Sequence, residues 1–219
     1  MNSWIKTAVW TTLALATTVV GACAAEKTQD KPEKGEWVSL FDGQTLSGWE
    51  MIELGGKDTS KWEVKNGALT GSGKASMLYS PKPYTNFRFK AEIKINDKGN
   101  SGMYVRAPKE ATFTKGYEIQ INSTHGDPVK TGSIYTYVEI YKSLQKPDEW
   151  FTQEIEVVTK EYRGKMLPHI KVWVNGDLLY LFRDHTAYAQ EGHFAFQQHD
   201  PGSVVQIRKV EVMELPESK

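Results

Sequence analysis

The strongest constraint on the fold is an alternation of apolar and charged residues that ends at Ile95. Every second residue is apolar and those between them are charged: Phe87, Phe89, Ala91, Ile93 and Ile95 against Arg88, Lys90, Glu92 and Lys94. Because successive side chains of a β-strand point to opposite faces, this pattern predicts a strand that buries one face.

The rest of the chain predicts more strands of this kind. The pairs Asn66-Gly67 and Asn175-Gly176 each separate two strand-like segments and predict two-residue hairpin turns. Further strands are predicted over 102–106, 117–122, 133–138, 151–158, 193–198 and 204–213. No segment has a helical stripe of useful length, and only 183–190 has room for one or two helical turns. We therefore predict an all-β fold, an antiparallel two-sheet β-sandwich.

The charge balance argues against a nucleic-acid partner. Lys and Arg together number 27, as do Asp and Glu, so the formal net charge is zero. Binding to phosphates needs a surplus of basic residues on one face. The sequence therefore predicts no nucleic-acid binding.

The N-terminal sequence predicts an export signal followed by a lipid anchor. A basic start and an apolar run over 7–20 precede the small residues around Cys23, the only cysteine. The run is too short to span a membrane stably, and Val20-Gly21-Ala22-Cys23 resembles a bacterial lipobox. We predict a lipoprotein-type signal peptide over 1–22, a flexible tether over 23–36 and a β-sandwich domain over 37–219. The alternative is an ordinary signal peptide cut after Ala22, Ala24 or Ala25.

This reading also predicts a location. Acylation of Cys23 would hold the chain on a bacterial membrane through the lipid alone, with the domain in the periplasm or at the cell surface. The residue after Cys23 is Ala24 rather than Asp, which favours the outer membrane of a two-membrane bacterium.

Several predicted strands carry hydrogen-bonding side chains on the face opposite the core. If the strands are neighbours, one sheet face collects Glu118, Gln120, Asn122, Tyr104, Arg106, His193, Gln197, His199, Tyr135 and Tyr137. Planar amide, carboxylate and guanidinium groups match pairs of sugar hydroxyls, and tyrosine rings cover sugar CH groups. The face therefore predicts carbohydrate binding, and the alternative is an ordinary solvated sheet surface.

Common catalytic signatures are absent from the sequence. It has no Gly-rich phosphate loop, no Gly-x-Ser-x-Gly elbow and no His-Glu-x-x-His motif. The five histidines signal no metal site, so no cofactor is predicted, although the sequence leaves a divalent metal open. A retaining glycosidase needs two carboxylates about 5 Å apart, whereas the strand 117–122 supplies only Glu118. We therefore expect a different mechanism on this face.

Seven motifs in order resemble the 3-keto-disaccharide hydrolase family, and together they span 37–215. They are 40–49 (LFDGQTLSGW), 62–71 (WEVKNGALTG), 100–106 (NSGMYVR), 116–121 (GYEIQI), 131–135 (TGSIY), 174–176 (VNG) and 196–199 (FQQH) with the later Arg208. The resemblance implies a concanavalin A-like jelly roll. The chain departs from the family pattern at Asn122, where Asp is usual, and at Phe151, where Asn follows the Glu-Trp pair.

The resemblance also implies an activity, the cleavage of 3-keto-glycosides by an extracytoplasmic glycosidic-bond hydrolase. Oxidation at C3 acidifies the C2 proton, so a base can form the enolate, the C1 oxygen leaves by β-elimination, and water adds back. On this hypothesis His199 or Glu118 is the base and Arg106 stabilises the enolate oxygen. Tyr135, or whichever of His199 and Glu118 is not the base, protonates the leaving group.

Five further residues are predicted to bind the substrate: Gln120, Gln197, Tyr104, Asn122 and Trp150. Two predicted catalytic residues have structural alternatives. Glu118 could form a cross-strand ion pair with Arg106, and His199 could be a hydrogen-bonded residue at a loop edge. For the whole protein the alternative is a non-catalytic surface lipoprotein that binds carbohydrate, because the same fold hosts both functions.

Overall fold

The computed structural model of the chain describes residues 35–54 and 56–217. The predicted signal peptide, Cys23 and the tether up to residue 34 lie outside the described residues. Within the described ranges, no helix has the length and apolar character needed to cross a membrane.

The described residues form thirteen β-strands, all paired antiparallel. Their bounds are β1 Val38–Ser39, β2 Glu50–Glu53, β3 Ser60–Lys65, β4 Ala68–Gly73, β5 Ser76–Tyr79, β6 Phe87–Ile95, β7 Asn100–Ala107, β8 Tyr117–Asn122, β9 Phe151–Tyr162, β10 Lys165–Val174, β11 Asp177–Arg183, β12 His193–Gln198 and β13 Val205–Glu214.

The strands make two sheets. The larger sheet has the order β11-β10-β9-β6-β13-β4-β3, with β1 paired to β13, and the smaller has the order β2-β5-β12-β7-β8. The two-sheet antiparallel sandwich predicted from the sequence is confirmed.

The core lies between the sheets and is rich in aromatic rings. Phe89 of β6 stacks on Phe194 of β12 with ring centroids 3.8 Å apart, and Tyr84 stacks on Phe194 at 4.3 Å. The strand β6 alternates strictly between buried and half-buried residues, as its sequence predicted. Burial of these rings stabilises the packing of the two sheets against each other.

Both predicted hairpin turns are confirmed. Asn66 and Gly67 have φ of 51° and 73°, and Asn175 and Gly176 have φ of 52° and 85°. Asn and Gly tolerate this left-handed backbone, which a two-residue hairpin of matching twist requires.

One predicted strand is absent, and the segment with room for helical turns contains none. The segment 133–138 is a turn that touches β8 through one isolated bridge, Ile119 to Ile134, rather than a strand. The segment 183–190 forms no helical turn, because Asp184 binds the backbone N–H groups of Thr186 and Tyr188 and fixes an irregular turn.

The strands β12, β7 and β8 are neighbours, as the prediction of a shared polar face requires. All residues of β7 are buried, so both faces of this strand are covered. One face packs in the core, and the loop 108–116 lies over the other, where Tyr79 Oη donates to Glu110 O at 2.6 Å and Tyr104 Oη to Phe113 O at 3.1 Å. This loop makes the sheet surface into the wall of a cavity.

Candidate active site

The outer face of the smaller sheet carries a cavity of about 390 Å³. Its floor comes from β7, β8 and β12, and its rim comes from the loops 113–116, 127–137 and the turn after β12. The lining residues are Asn100, Phe113, Thr114, Gly116, Glu118, Gln120, Asp127, Tyr135, Thr136, Tyr137, Tyr188, Gln197 and His199. Of the nine residues predicted for catalysis or substrate binding, the cavity brings together Glu118, His199, Tyr135, Gln120 and Gln197.

Glu118 is the most perturbed acid in the cavity. It lies opposite Tyr104 in the β7–β8 register. Burial raises the pKa of Glu118 to about 8, the neighbouring Tyr104 hydroxyl opposes the rise, and the charge of Asp127 adds to it. The carboxyl group therefore holds its proton near neutral pH.

Gly102 leaves the space that Glu118 occupies. A Cβ at position 102 would lie 2.6 Å from Glu118 Oε1 and 2.7 Å from the ring of Tyr104. This glycine has no positive φ, so its role is steric rather than conformational.

Two buried amides surround Glu118. In the orientation that satisfies its neighbours, the Gln120 amide nitrogen donates to Ser101 O at 2.9 Å and to Glu118 Oε1 at 3.1 Å. Gln197 donates through Nε2 to Tyr104 Oη at 3.2 Å, while its Oε1 has no partner among the described residues. An unpaired acceptor in a cavity wall suits a ligand hydroxyl.

His199 is held by an acid and by an aromatic ring. Its Nδ1 lies 2.8 Å from Asp200 Oδ2, and its ring stacks on Phe113 at a centroid distance of 5.9 Å. Although burial alone would raise it, the pKa of Asp200 is lowered by hydrogen bonds from His199, Gly202 N–H and Ser203. An ionised Asp200 accepts a hydrogen bond from Nδ1–H of His199, which leaves the lone pair on Nε2.

Asp127 is a second carboxylate in the cavity, and the sequence analysis missed it. Tyr135 Oη donates to its Oδ2 at 3.0 Å, and Val129 N–H donates to its Oδ1 at 2.8 Å. The hydrogen bond to Asp127 raises the pKa of Tyr135. The strand 117–122 supplies only Glu118, as the sequence analysis stated, and a loop adds Asp127 as a second carboxylate of the cavity.

Asn122 supports Asp127 and does not line the cavity. Its Nδ2 donates to Asp127 O at 3.0 Å and to Val129 O at 2.8 Å, and its Oδ1 accepts from His125 N–H at 3.0 Å. The side chain is buried and fully used within the loop, so its predicted contact with substrate is corrected to a structural role. An amide suits this position because it donates and accepts at once.

The predicted role of Arg106 is wrong. A bulge in the β7–β12 pairing and a φ of 52° at Arg106 interrupt the alternation of β7. The guanidinium is buried and donates to Thr85 O, Ala189 O and Thr159 Oγ1 at 2.6 to 3.0 Å. It therefore neither faces the cavity nor pairs with Glu118, and it joins the two sheets instead.

Tyr104 and Trp150 also differ from prediction. Tyr104 is fully buried beneath the cavity, and its hydroxyl contacts cavity residues by donating to Phe113 O and accepting from Gln197 Nε2. Trp150 lies outside the cavity, with Arg208 Cζ 4.0 Å from its ring centroid, because its loop runs along the larger sheet.

The missed cavity residues come mainly from loops. Asp127, which lines the cavity, follows the predicted residue Asn122 within one loop, and Asp200, which holds His199, is the next residue after it, so both acids could have been found. Phe113 and Thr114 carry no signal in the sequence. Among residues 35–54 and 56–217, no group of three or more His, Cys, Asp or Glu side chains could hold a metal ion.

Comparison with known proteins places this geometry in a family. The sequence model of the 3-keto-alpha-glucoside-1,2-lyase-like domain matches residues 36–213. A 3-keto-disaccharide hydrolase of Bacteroides thetaiotaomicron is 25% identical over 165 residues, which cover 60% of this chain and 54% of that protein. The chain thus spans about half the length of this curated relative.

Solved structures agree on the fold. A protein proposed to be a glycosyl hydrolase, from Parabacteroides distasonis, is 25% identical with a TM-score of 0.66, covering 83% of this chain and 94% of its own. A Bacillus subtilis carbohydrate-binding module of the CBM66 type shares the fold alone, at 16% identity and a TM-score of 0.57, covering 76% and 96%. The jelly-roll prediction is confirmed, and the chain belongs to the 3-keto-alpha-glucoside-1,2-lyase-like domain family.

Proposed function

We propose that the chain cleaves the glycosidic bond of 3-keto-glycosides by C2 proton abstraction, β-elimination and hydration. One observation carries the proposal: the cavity holds both an acid that keeps its proton near neutral pH, Glu118, and an imidazole oriented by a carboxylate, His199. An elimination requires both a base for the C2 proton and an acid for the leaving group.

In the first step His199 is the base. Its Nε2 takes the C2 proton, which is acidic because C3 is a ketone, and the C–H electron pair moves into the enolate. Asp200 stabilises the imidazolium that forms. The negative charge develops on the C3 oxygen, which needs a hydrogen-bond donor in the cavity.

Arg106 is engaged elsewhere, so a neutral donor must serve the enolate oxygen. Tyr188 is suited to this role because its hydroxyl lines the cavity and accepts the Gly116 N–H at 3.3 Å. The hydroxyl hydrogen remains for the substrate, and the accepted hydrogen bond strengthens it as a donor.

In the second step the enolate collapses, a C1–C2 double bond forms and the C1–oxygen bond breaks. Glu118 gives its proton to the departing oxygen and becomes a carboxylate. Water then adds at C1 and a proton returns to C2, so the net reaction is hydrolysis. Glu118, now ionised, can accept the proton of that water.

The remaining cavity residues bind and position. The Gln197 Oε1 accepts a substrate hydroxyl, and Gln120 holds the Glu118 carboxyl. Tyr135 is assigned to positioning Asp127 rather than to protonating the leaving group. Its hydroxyl already donates a hydrogen bond to Asp127, and its pKa is raised.

We further propose that the enzyme works outside the cytoplasm, attached through a lipid on Cys23. The support is the lipobox-like sequence around that residue. Metabolic labelling with a radioactive fatty acid, with Cys23→Ser as the control, would test it. Label retained in C23S would contradict the assignment.

The activity is tested with the purified full chain on chemically prepared 3-keto-glycosides and on their unoxidised parents. We expect cleavage of the oxidised sugars only, reduced at least a hundredfold in Glu118→Gln and in His199→Ala. His193→Gln is the matched control, because this histidine begins β12, the strand that ends just before His199, but binds Ser80 O, away from the cavity. Glycan binding without turnover would favour a carbohydrate-binding protein instead.

A further inference from the structure

A cluster of cations lies at one end of the larger sheet, away from the cavity. The hairpin that joins β9 to β10 carries three of them, Lys160, Arg163 and Lys165, and all three are exposed. Arg183 of β11 lies beside this basic hairpin, with its Cζ 4.9 Å from the ring centroid of Tyr162. None of the four cations lines the cavity, and the reaction proposed above does not use them.

The cluster has no acidic partner. Among the described residues, no acid lies within ion-pair distance of any of the four cations. Glu161, the acid within the hairpin, instead accepts the N–H of Gly164 through Oε1 at 2.7 Å. The pKa of His169, which pairs with Arg183 across β10 and β11, is lowered by burial first and then by neighbouring positive charges. Positive charge is therefore in excess at this end, although the formal net charge of the chain is zero.

The two arginines determine which anion this surface fits. Arg163 Cζ and Arg183 Cζ lie 5.3 and 4.9 Å from the centroid of the same ring, Tyr162. Neither side chain donates a hydrogen bond to a described residue, and only Arg183 Nε is buried without a partner. The other guanidinium N–H groups are therefore free to bind a ligand. Guanidinium groups bind phosphate oxygens in pairs, and lysines add charge, so the cluster suits phosphate groups.

The chain enters the sandwich at this same end. Gly35, the first described residue, lies against the side chain of Met213, and Met213 pairs with Arg88 near the start of β6. The strand β9 passes this end at Thr159, whose N–H donates to Asn86 Oδ1 at 2.9 Å, and then continues into the basic hairpin. The hairpin and the point of entry are therefore neighbours.

We infer that the basic hairpin and Arg183 form a docking surface for the phosphate groups of anionic lipids in the membrane to which the chain is attached. The inference rests on the proposed attachment through Cys23, which precedes Gly35 by twelve residues. A lipid there keeps this end of the sandwich near the headgroups, so contacts that are weak by themselves suffice to hold it. Exposed cations meet a flat anionic surface together, and the cavity stays free for its substrate.

The test is co-sedimentation of the purified full chain, carrying Cys23→Ser, with two kinds of vesicle. One kind is pure phosphatidylcholine, and the other contains a quarter phosphatidylglycerol. No acyl chain is present in this variant, and the apolar run over 7–20 is common to every protein compared. Its contribution therefore cancels when the partition coefficients for the two kinds of vesicle are divided, and the ratio measures the preference for anionic lipid.

We expect this preference to fall roughly twentyfold in Arg163→Gln/Lys165→Gln, because each cation near an anionic surface contributes about fivefold. Lys98→Gln/Lys142→Gln is the matched control. It removes the same charge from two exposed lysines at the other end of the sandwich, where Lys98 N–H donates to Thr124 Oγ1 at 2.8 Å. The control should keep the preference of the parent protein.

Three results would overturn the inference: equal binding to the two kinds of vesicle, a preference unchanged in Arg163→Gln/Lys165→Gln, or an equal fall in the control. Calorimetric titration with inorganic phosphate tests the other source of the same chemistry. Saturable phosphate binding without a preference for anionic vesicles would assign the cluster to a soluble anion instead. Lys160→Gln, a single exposed change, keeps the test falsifiable if the double variant does not fold.

Failure of this inference is distinguishable from failure of the proposed function. Every protein in the vesicle test lacks the thiol of Cys23, so the result does not depend on whether that residue is acylated. Fatty-acid labelling reports the acylation separately. Cleavage of 3-keto-glycosides in solution should be unchanged in Arg163→Gln/Lys165→Gln, since neither residue lines the cavity.

Discussion

Replacement of Glu118 by Gln should stabilise the fold increasingly as the pH rises, although it removes the proposed acid. The pKa of Glu118 is raised from 4.5 to about 8 in the folded protein, first by burial and then by Asp127. Between these two values the unfolded chain releases the proton and the folded chain keeps it. The contribution of protonated Glu118 to the free energy of unfolding is therefore fully present below pH 4.5 and is lost as the pH rises through about 8.

The size of the effect follows from the same two values. Each pH unit between the unfolded and folded pKa costs about 1.4 kcal/mol, and roughly three such units fall between pH 5 and pH 9. Glu118→Gln has no proton to lose, so its free energy of unfolding relative to the wild type should rise by about 4 kcal/mol over this range.

Urea denaturation of both proteins at pH 5, 7 and 9 measures this difference, and other titrating groups cancel between them. Glu92→Gln is the control. Burial alone would raise the pKa of Glu92, but hydrogen bonds from Lys209 and Arg208 lower it. The difference in free energy of unfolding between Glu92→Gln and the wild type should therefore stay constant from pH 5 to 9. The reasoning would be refuted if the free energy of unfolding of Glu118→Gln, relative to the wild type, stayed constant or fell as the pH rises.

Three further outcomes are expected. Gly102→Ala should lower kcat/KM at least tenfold with an unchanged circular dichroism spectrum, because its Cβ would lie 2.6 Å from Glu118 Oε1; full activity would argue against the placement of that carboxyl. Asp200→Asn should lower kcat by two orders of magnitude or more in steady-state assays, with a small change in KM, since an amide no longer selects the His199 tautomer; a change in KM alone would contradict this. Arg106→Gln should lose about 3 kcal/mol of stability in urea denaturation, because it leaves buried carbonyls without donors, while the pH profile of activity keeps its shape; a shifted profile would return Arg106 to the site.

The sequence predicted the sheets better than the site. Period-two patterns such as Phe87 to Ile95 report burial directly, and Asn-Gly turns specify their own backbone, so strands and hairpins could be read locally. The polar rows of β8 and β12 placed Glu118 and Gln197 correctly because strict alternation holds there.

Prediction failed where alternation breaks or where loops decide. The bulge at Arg106 turns its side chain away from the face that the pattern assigned. Asp127 reaches the cavity only because Asn122 folds the following loop back. Trp150 follows a loop whose course depends on Arg208, far away in sequence. None of these contacts is encoded in local periodicity.

The central claim is that the C2 proton leaves during cleavage, and one isotope measurement tests it directly. The full chain is given a 3-keto-glycoside in D₂O, and the C2 position of the product is read by mass spectrometry and NMR. Product and substrate incubated without enzyme correct for spontaneous exchange beside the ketone. Elimination and hydration predict one deuterium at C2 in every product molecule formed. Cleavage that leaves the original hydrogen at C2 would contradict the account.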